Sequence, residues 1–122
     1  MLQVNQEQFS AKLSPLSAGI RVLFRGNIST PDPASVLNPF VDAVHDRAQE
    51  SGEREVSVDL KDLEYCNSSG FKSFIHWIRR IKEMPEERRY KLRFLTSSER
   101  KWQRTSLLAL TVFAEELVEI QR

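Results

Sequence analysis

The spacing of apolar residues changes along the chain, and this change constrains the fold more than any other feature. Residues 56–60 (VSVDL) alternate in the way of a β-strand, and we expect residues 62–67 to form a loop after it. Spacings of three and four, which indicate an amphipathic helix, follow in Phe71, Phe74, Ile75, Ile78 and Ile81. The period of two returns in residues 90–96. This strand-helix-strand succession predicts parallel strands joined by a right-handed crossover.

Two segments nearer the N-terminus extend the pattern. Residues 20–28 alternate apolar and polar side chains and predict a strand, with turn chemistry at Gly26-Asn27. Residues 2–13 alternate weakly and are suited to pair with that strand as a hairpin. We expect Pro15 and Gly19 to lie in the connection between them.

A first helix is predicted to end at Ser51-Gly52, because glycine is favoured just after a helix. Its start has two candidates. Asp32 before Pro33 has the form of an N-cap followed by a proline at the first helical position, and so does Asn38 before Pro39. Both starts are compatible with the apolar periodicity.

The C-terminal part is predicted to contain a last helix that begins after Ser97 or Ser98. In that helix we expect Trp102, Leu107 and Leu108 to face the core. The tail, residues 113–120, is compatible with a final strand or with more helix.

The predicted fold is an α/β sandwich with a mixed, mostly parallel sheet of four to five strands and helices mainly on one face. The 122 residues suit a single domain over 1–122, long enough to bury a core without metal or disulfides.

The termini and the composition predict a cytoplasmic protein with no membrane contact. The chain is 40% hydrophobic and 29% charged, as in ordinary soluble domains. Residues 1–7 lack the basic start and apolar run of a signal peptide, and no apolar run is long enough to cross a bilayer. Cys66 is the only cysteine, so no intramolecular disulfide forms, as suits a reducing compartment.

The charge is uneven along the sequence. The formal net charge is +1, but residues 61–122 carry 13 Lys or Arg against 9 Asp or Glu. This basic half is either a solvated surface or a site for an acidic partner or a nucleotide. Because it lacks interleaved arginines and aromatics, we expect no nucleic acid as a partner.

Motifs for catalysis and for metal binding are missing from the sequence. His45 and His76 fall on different predicted helices without ligands at metal spacing, so we expect no metal. Ser68 is not in a Gly-x-Ser-x-Gly elbow, and the four glycines form no phosphate loop. We therefore expect no cofactor and no enzyme activity.

The turn Asn67-Ser68-Ser69-Gly70 stands directly before the clearest helix. On physical grounds it is either a plain N-cap or a functional turn, since the first turn of a helix both needs capping and favours an anion. Together with residues 58–60 and 65–71, the turn resembles the STAS domain family, which includes the bacterial anti-sigma factor antagonists. Their pattern is a hydrophobic strand, a short loop and Asp-Ser-Ser-Gly-Leu opening an amphipathic helix.

This resemblance implies a cytoplasmic protein-binding switch. In the family a partner kinase, itself an anti-sigma-like regulator, phosphorylates the first serine of the turn, and a partner phosphatase removes the phosphate. The unmodified form binds its target and the modified form releases it. Carried over, the phosphoacceptor is Ser68. Asn67 replaces the usual Asp, as in STAS-like proteins tied to biofilm and cyclic-dinucleotide signalling.

Residues near the turn receive roles from the same reasoning. Ser69 is predicted to cap the helix, and Gly70 to let the backbone of the turn come close to the partner. The predicted partner-binding surface consists of the turn residues Asn67, Ser69 and Gly70 and the helix residues Lys72, His76 and Arg79.

Trp77 is either a core residue, as tryptophans most often are, or a partly exposed anchor for the partner, since it lies off the apolar stripe of its helix; Cys66 is expected to be buried. Two alternative functions stay open. One is a constitutive scaffold without phosphorylation, and the other is a domain that binds a small molecule or a nucleotide.

Overall fold

The computed structural model describes residues 2–16 and 19–121 of the chain. Within those ranges it has six strands, three α-helices and a 3-10 turn at Glu86–Arg88. The strands are β1 (Gln3–Asn5), β2 (Phe9–Leu16), β3 (Gly19–Ile28), β4 (Glu55–Cys66), β5 (Lys91–Leu95) and β6 (Val118–Gln121). The helices are α1 (Ala34–Ser51), α2 (Ser68–Lys82) and α3 (Lys101–Phe113).

The strands form one sheet whose spatial order is the sequence order, β1-β2-β3-β4-β5-β6. The pairs β1–β2 and β2–β3 are antiparallel, and the three pairs from β3 to β6 are parallel. The predicted mixed, mostly parallel sheet is confirmed. Its size is larger than the predicted four to five strands, because the N-terminal segment folds back on itself to give two strands and the tail is the strand β6.

The hairpin β2–β3 differs from the prediction at its connection. Pro15 belongs to β2 and Gly19 begins β3, with Leu16 opposite Gly19 in the ladder. The expectation that Pro15 and Gly19 lie in the connection is therefore wrong. Residues 17–18, which separate the two strands, lie outside the described part of the chain.

One face of the sheet holds the core. Over residues 20–25 of β3, residues 55–60 of β4 and all of β5, alternate side chains are buried, whereas those between them are half-buried or exposed, with the exception of Asp59. Phe24 at the centre of β3 packs edge-on against Phe40 of α1 at 6.1 Å and Phe74 of α2 at 5.4 Å between ring centroids. Phe74 also meets Phe94 of β5 at 5.6 Å. The helices thus cover the face that the alternation makes apolar, as predicted.

Helix α1 begins at the first of its two candidate starts. Pro33 occupies the N-cap without a side-chain hydrogen bond, so the prediction of Asp32 as the N-cap is wrong. Pro39 lies inside the helix. Asn38 does not cap, since its side chain accepts a hydrogen bond from Ser73 Oγ of α2 at 2.8 Å. The predicted end is confirmed, with Gly52 in the left-handed region at φ 68°.

Strand β4 is longer than its apolar alternation predicts. Residues 62–67 were expected to form a loop, but the ladder with β3 continues until Ile28 pairs with Cys66. Two register shifts in that ladder interrupt the simple alternation, which is why the sequence pattern stops early. The extension carries the chain to the carboxyl edge of the sheet before α2 begins.

The structure decides one open alternative of side-chain exposure and contradicts one prediction. Trp77 has no exposed surface, and its indole N–H donates to the Tyr90 hydroxyl at 2.9 Å. Of the two alternatives for Trp77, the core position is thus the one observed, because α2 is covered by α1 as well as by the sheet. Leu108, expected in the core, is 53% exposed, since the buried stripe of α3 follows Gln103, Leu107 and Leu110 instead.

Among the described residues, no helix combines the length and the apolar character that crossing a membrane requires.

Candidate functional site at the start of helix α2

The turn Asn67–Gly70 lies at the carboxyl edge of the parallel strands, where β4 ends and α2 begins. The Asn67 backbone N–H donates to the carbonyl of Ile28, the last residue of β3, at 2.8 Å. The turn is thus fixed to two neighbouring strands. In open α/β sheets this edge is the usual location of binding sites.

Asn67 caps the helix with its side chain. Its Oδ1 accepts from the Gly70 backbone N–H at 2.8 Å, and its Nδ2 donates to the Thr30 carbonyl at 2.9 Å. The prediction that Ser69 is the cap is therefore wrong, because the extended backbone of Asn67 (φ −74°, ψ 173°) puts that residue in the N-cap position. An aspartate can serve as the cap but cannot donate to Thr30. This contact gives a physical reason for asparagine at the position.

Ser68 is the first residue of α2, and it is exposed. Within the described chain its hydroxyl makes no hydrogen bond, so the group is open to solvent and to a partner. The first backbone N–H groups of a helix have no partner inside the helix, and the helix dipole is positive there. Next to Ser68 the backbone therefore favours negative charge.

Gly70 is buried, and its lack of a side chain is required by the chain's own packing. A Cβ at this position would lie 2.5 Å from Ile28 Cγ2 and 3.0 Å from Cys66 Sγ. The close backbone approach that Gly70 permits is thus to the ends of β3 and β4, whereas the sequence predicted an approach to a partner.

Cys66 is half-buried directly before the turn, and burial raises the pKa of its thiol to about 12. The thiol therefore stays protonated at neutral pH, and a protonated thiol is a poor nucleophile.

Basic side chains continue the site along α2. Lys72 and Arg79 are exposed, and their separations from Ser68 of four and eleven residues place all three on one face of the helix. This face, consisting of Ser68, Lys72 and Arg79, is called the Ser68 face below. On this face Lys72 carries a positive charge one helical turn from the Ser68 hydroxyl, and Arg79 carries a second one about three turns away.

His76 has a structural contact. Its Nε2 lies 2.8 Å from Asp42 Oδ1 on α1, and Arg80 Nη1 lies 2.6 Å from the same oxygen. Arg80 also approaches Asp46 Oδ1 at 3.9 Å. These contacts tie α2 to α1. About a third of the His76 side chain stays exposed, so the role in partner binding remains a prediction.

Tyr65 is a further exposed residue at the site that the sequence analysis missed. It lies near the end of β4, two residues before Asn67, and is 47% exposed. The sequence shows the tyrosine, but a loop is predicted at residues 62–67. A loop gives no basis for predicting that this ring faces outward. A large exposed aromatic beside the turn is suited to anchor a protein partner.

The comparisons with known proteins find similarity among solved structures and not among family models or curated sequences. No protein-family model matches the chain, and no curated protein sequence matches it. The crystal structure of an anti-sigma factor antagonist from Mycobacterium paratuberculosis is similar, with a TM-score of 0.63 over 94% of this chain and 88% of that one. The two sequences are 14% identical. The predicted fold is thereby confirmed: the chain has the STAS-like α/β fold of an anti-sigma factor antagonist.

Proposed function

We propose that the chain is a non-enzymatic, phosphorylation-controlled protein-binding switch similar to an anti-sigma factor antagonist, with Ser68 as the phosphoacceptor. The observation that carries this proposal is the exposed, unpaired Ser68 hydroxyl at the first position of α2, beside a cap supplied by a different residue. The proposed partners are a protein kinase that acts as an anti-sigma-like regulator and a phosphatase. The proposed location is the bacterial cytoplasm.

The local structure supports reversible modification at Ser68. A phosphate adds roughly −1.5 to −2 charges at neutral pH. The free N–H groups at the helix start favour such an anion, and Lys72 is one turn away on the same face. Because Asn67 holds the cap, the phosphate leaves the cap hydrogen bond intact. Modification is then expected to change the surface without unfolding the helix.

The same surface supports release of a partner by phosphorylation. In the unmodified protein a partner can pack against Tyr65, Ser69 and the Ser68 face. A phosphate on Ser68 would have to be desolvated beneath that partner, at a cost of several kcal/mol unless a cation met it there. Binding of the partner and phosphorylation are thus mutually exclusive in this proposal.

Intact mass spectrometry of the protein from its native host tests the proposal. We expect a species heavier by one phosphate, which disappears in Ser68→Ala and persists in Ser98→Ala, a matched change at another exposed serine near a helix start. We also expect Ser68→Asp to lose a partner that co-purifies with the unchanged protein. The proposal fails if Ser68 is never modified and Ser68→Asp retains every partner.

The scaffold alternative shares the fold and the surface of this proposal and differs only in lacking the modification. Intact mass spectrometry and co-purification together separate the two. A constitutive scaffold carries no phosphate on Ser68 and binds its partner equally in all Ser68 variants.

A different observation favours the small-molecule alternative. A cavity of about 410 Å³ lies between the end of β5 and the start of α3, lined by Arg100, Lys101 and Arg104 together with hydroxyl groups. Its three cations suit an anionic ligand such as a nucleotide. A rise in melting temperature with a nucleotide, lost in Arg104→Ala and kept in Ser68→Ala, is expected if this function is present. No shift with any nucleotide excludes it.

A further inference from the structure

A cavity at the start of α3 gathers positive charge outside the turn Asn67–Gly70. It has a volume of about 410 Å³ and lies between the end of β5 and the start of α3. Arg100, Lys101 and Arg104 line it, together with serine and threonine hydroxyl groups. The described residues that line it include no Asp and no Glu. This space, with its three cations, is called the α3 cavity below.

The cations of the α3 cavity lack partners within the described part of the chain. None of the three forms a salt bridge there. Nε of Arg100 is shielded from solvent and has no hydrogen-bond partner among the described residues. Arg100 and Arg104 are four residues apart, a spacing at which like charges on a helix repel each other. An anion in the cavity would relieve this repulsion.

The acidic residues at the ends of β4 and β5 do not neutralise the α3 cavity. Glu99 is exposed and does not line it. Asp62 lies 3.8 Å from Arg25, and Glu64 accepts a hydrogen bond from Asn27 at 3.4 Å. Both of these carboxylates are thus engaged at β3, on the side of β4 away from the cavity. The cavity therefore keeps its excess of positive charge.

The chemistry of the three cations suits a ligand with several negative charges. The forked N–H groups of arginine bind phosphate oxygens in pairs, and lysine adds a point charge. The hydroxyl groups of Ser98 and Thr105 line the same cavity and can donate to further oxygens. A single carboxylate would leave two of the three cations unmatched. A diphosphate group matches their number and charge more closely.

The α3 cavity lies at the same edge of the sheet as Ser68. Helix α2 begins after β4 and α3 begins after β5, and these two strands are parallel neighbours. The buried side chain of Gln103 joins the two places. It accepts from the Ser97 backbone N–H in the cavity wall at 3.0 Å and donates to the carbonyls of Leu60 and Leu63 of β4. A charge in the cavity is thus held in a fixed position relative to the strand that ends at the turn.

We propose that the α3 cavity binds the diphosphate group of a phosphorylated small molecule, and that this ligand disfavours the phosphorylated form of Ser68. While the cavity is empty, its positive charges favour a phosphate on Ser68. A bound anion cancels that effect, so the ligand and the phosphate weaken each other by the same factor. The ligand then keeps the protein in its partner-binding form. This inference rests on the proposed switch.

Calorimetric titration with pyrophosphate tests the site. We expect the unchanged protein to bind it, and the dissociation constant to rise about tenfold in Lys101→Gln and in Arg104→Gln, because each change removes a charge-assisted contact. Both residues are exposed, so the variants are expected to fold. Arg47→Gln, at an exposed arginine on α1, is the control and leaves the affinity unchanged. A nucleoside diphosphate that binds more tightly than pyrophosphate assigns further contacts to the nucleoside, and equal affinity assigns recognition to the phosphates alone.

The same titration in Ser68→Asp tests the coupling. At low ionic strength we expect the dissociation constant of pyrophosphate to rise about two- to fivefold, the scale of an exposed charge pair. The difference is expected to vanish at about 1 M salt, where charges are screened within about 3 Å. Ser51→Asp adds the same charge near the end of α1, at the opposite edge of the sheet, and is expected to leave the affinity unchanged.

Three results would overturn the proposal. Absence of pyrophosphate binding by the unchanged protein, or equal binding by Arg104→Gln, removes the site. Equal affinity of the unchanged and Ser68→Asp proteins at low ionic strength removes the coupling. Binding is also expected in Ser68→Ala, so failure of the ligand site and failure of the phosphorylation proposal are distinguishable.

Discussion

Asn67 stands at the start of α2, and its contacts give a physical reason for asparagine rather than aspartate at this position. The side-chain amide accepts from Gly70 N–H and donates to the Thr30 carbonyl, so both of its polar ends are used. Thr30 lies in the segment between β3 and α1. A single side chain therefore caps α2 and holds a remote loop against it. A carboxylate can perform the first role only.

Asn67→Asp is expected to destabilise the protein. Aspartate caps as well as asparagine, and its charge gains about 0.3–1 kcal/mol from the helix dipole. The loss of the bond to Thr30 leaves a carboxylate oxygen facing a carbonyl oxygen, which costs about 1–3 kcal/mol. We expect a net loss of about 1 kcal/mol in the free energy of unfolding, measured by urea titration at neutral pH. Asn5→Asp in the exposed part of β1 is the control, and a more stable Asn67→Asp protein would contradict the role of Thr30.

Among the elements, α1, α2 and the residue before β5 are joined by hydrogen bonds between three buried side chains. The Trp77 indole donates to the Tyr90 hydroxyl, and that hydroxyl lies 2.7 Å from His45 Nδ1. Because the indole N–H occupies the phenol oxygen as donor, the Tyr90 proton is available to a neutral His45. Burial lowers the pKa of His45 below 6.5, and the charge of Arg80 lowers it further. Both causes favour the neutral ring that this arrangement needs.

The His45 contact predicts a stability that falls in acid. Because the folded-state pKa is lower than the unfolded one, the unfolded chain binds more protons, and stability rises with pH between the two values. The contribution is complete above pH 6.5 and is lost as the pH falls through the folded-state pKa. In urea titrations from pH 8 to pH 5, His45→Gln is expected to show a smaller decline than the unchanged protein. Parallel declines in the two proteins would show that His45 does not titrate in this way.

In the whole molecule, the helices bury one face of the sheet, and β6 is the edge strand that follows β5. Val118 pairs with Leu92 and is buried, whereas Glu119 pairs with Arg93 and is exposed on the other face. The tail, which the sequence left open between strand and helix, therefore completes the core beyond β5. On the opposite face, ion pairs such as Arg25–Asp62 and Lys61–Asp59 are partly exposed and long, at 3.8 and 3.9 Å, so they add little stability.

A pair of neighbouring substitutions tests the position of this edge strand. Val118→Asp puts an unpaired carboxylate into the core and is expected to cost about 3 kcal/mol or more of the free energy of unfolding. Glu119→Gln changes the next residue, on the open face, and is expected to change that free energy by less than about 0.5 kcal/mol. Chemical denaturation measures both. Equal losses in the two variants would mean that residues 118–121 do not alternate between the core and solvent.

By itself, the sequence determined those features that depend on neighbours along the chain. The spacing of apolar residues gave the strand-helix-strand succession of residues 56–96, and Gly52 ended α1, because periodicity and backbone sterics act over a few residues. The position of the Asn67–Gly70 turn, between a strand and a helix, followed from the same local signals.

Only the tertiary structure decided which residue of the turn does what. Asn67 rather than Ser69 is the cap because Thr30 and Ile28 fix its side chain and backbone, and both lie far away in the sequence. Trp77 is buried because α1 covers it and Tyr90 accepts its N–H, while β4 reaches Cys66 because β3 runs beside it. In each case the deciding partner is brought near only by folding, and no local pattern records its distance.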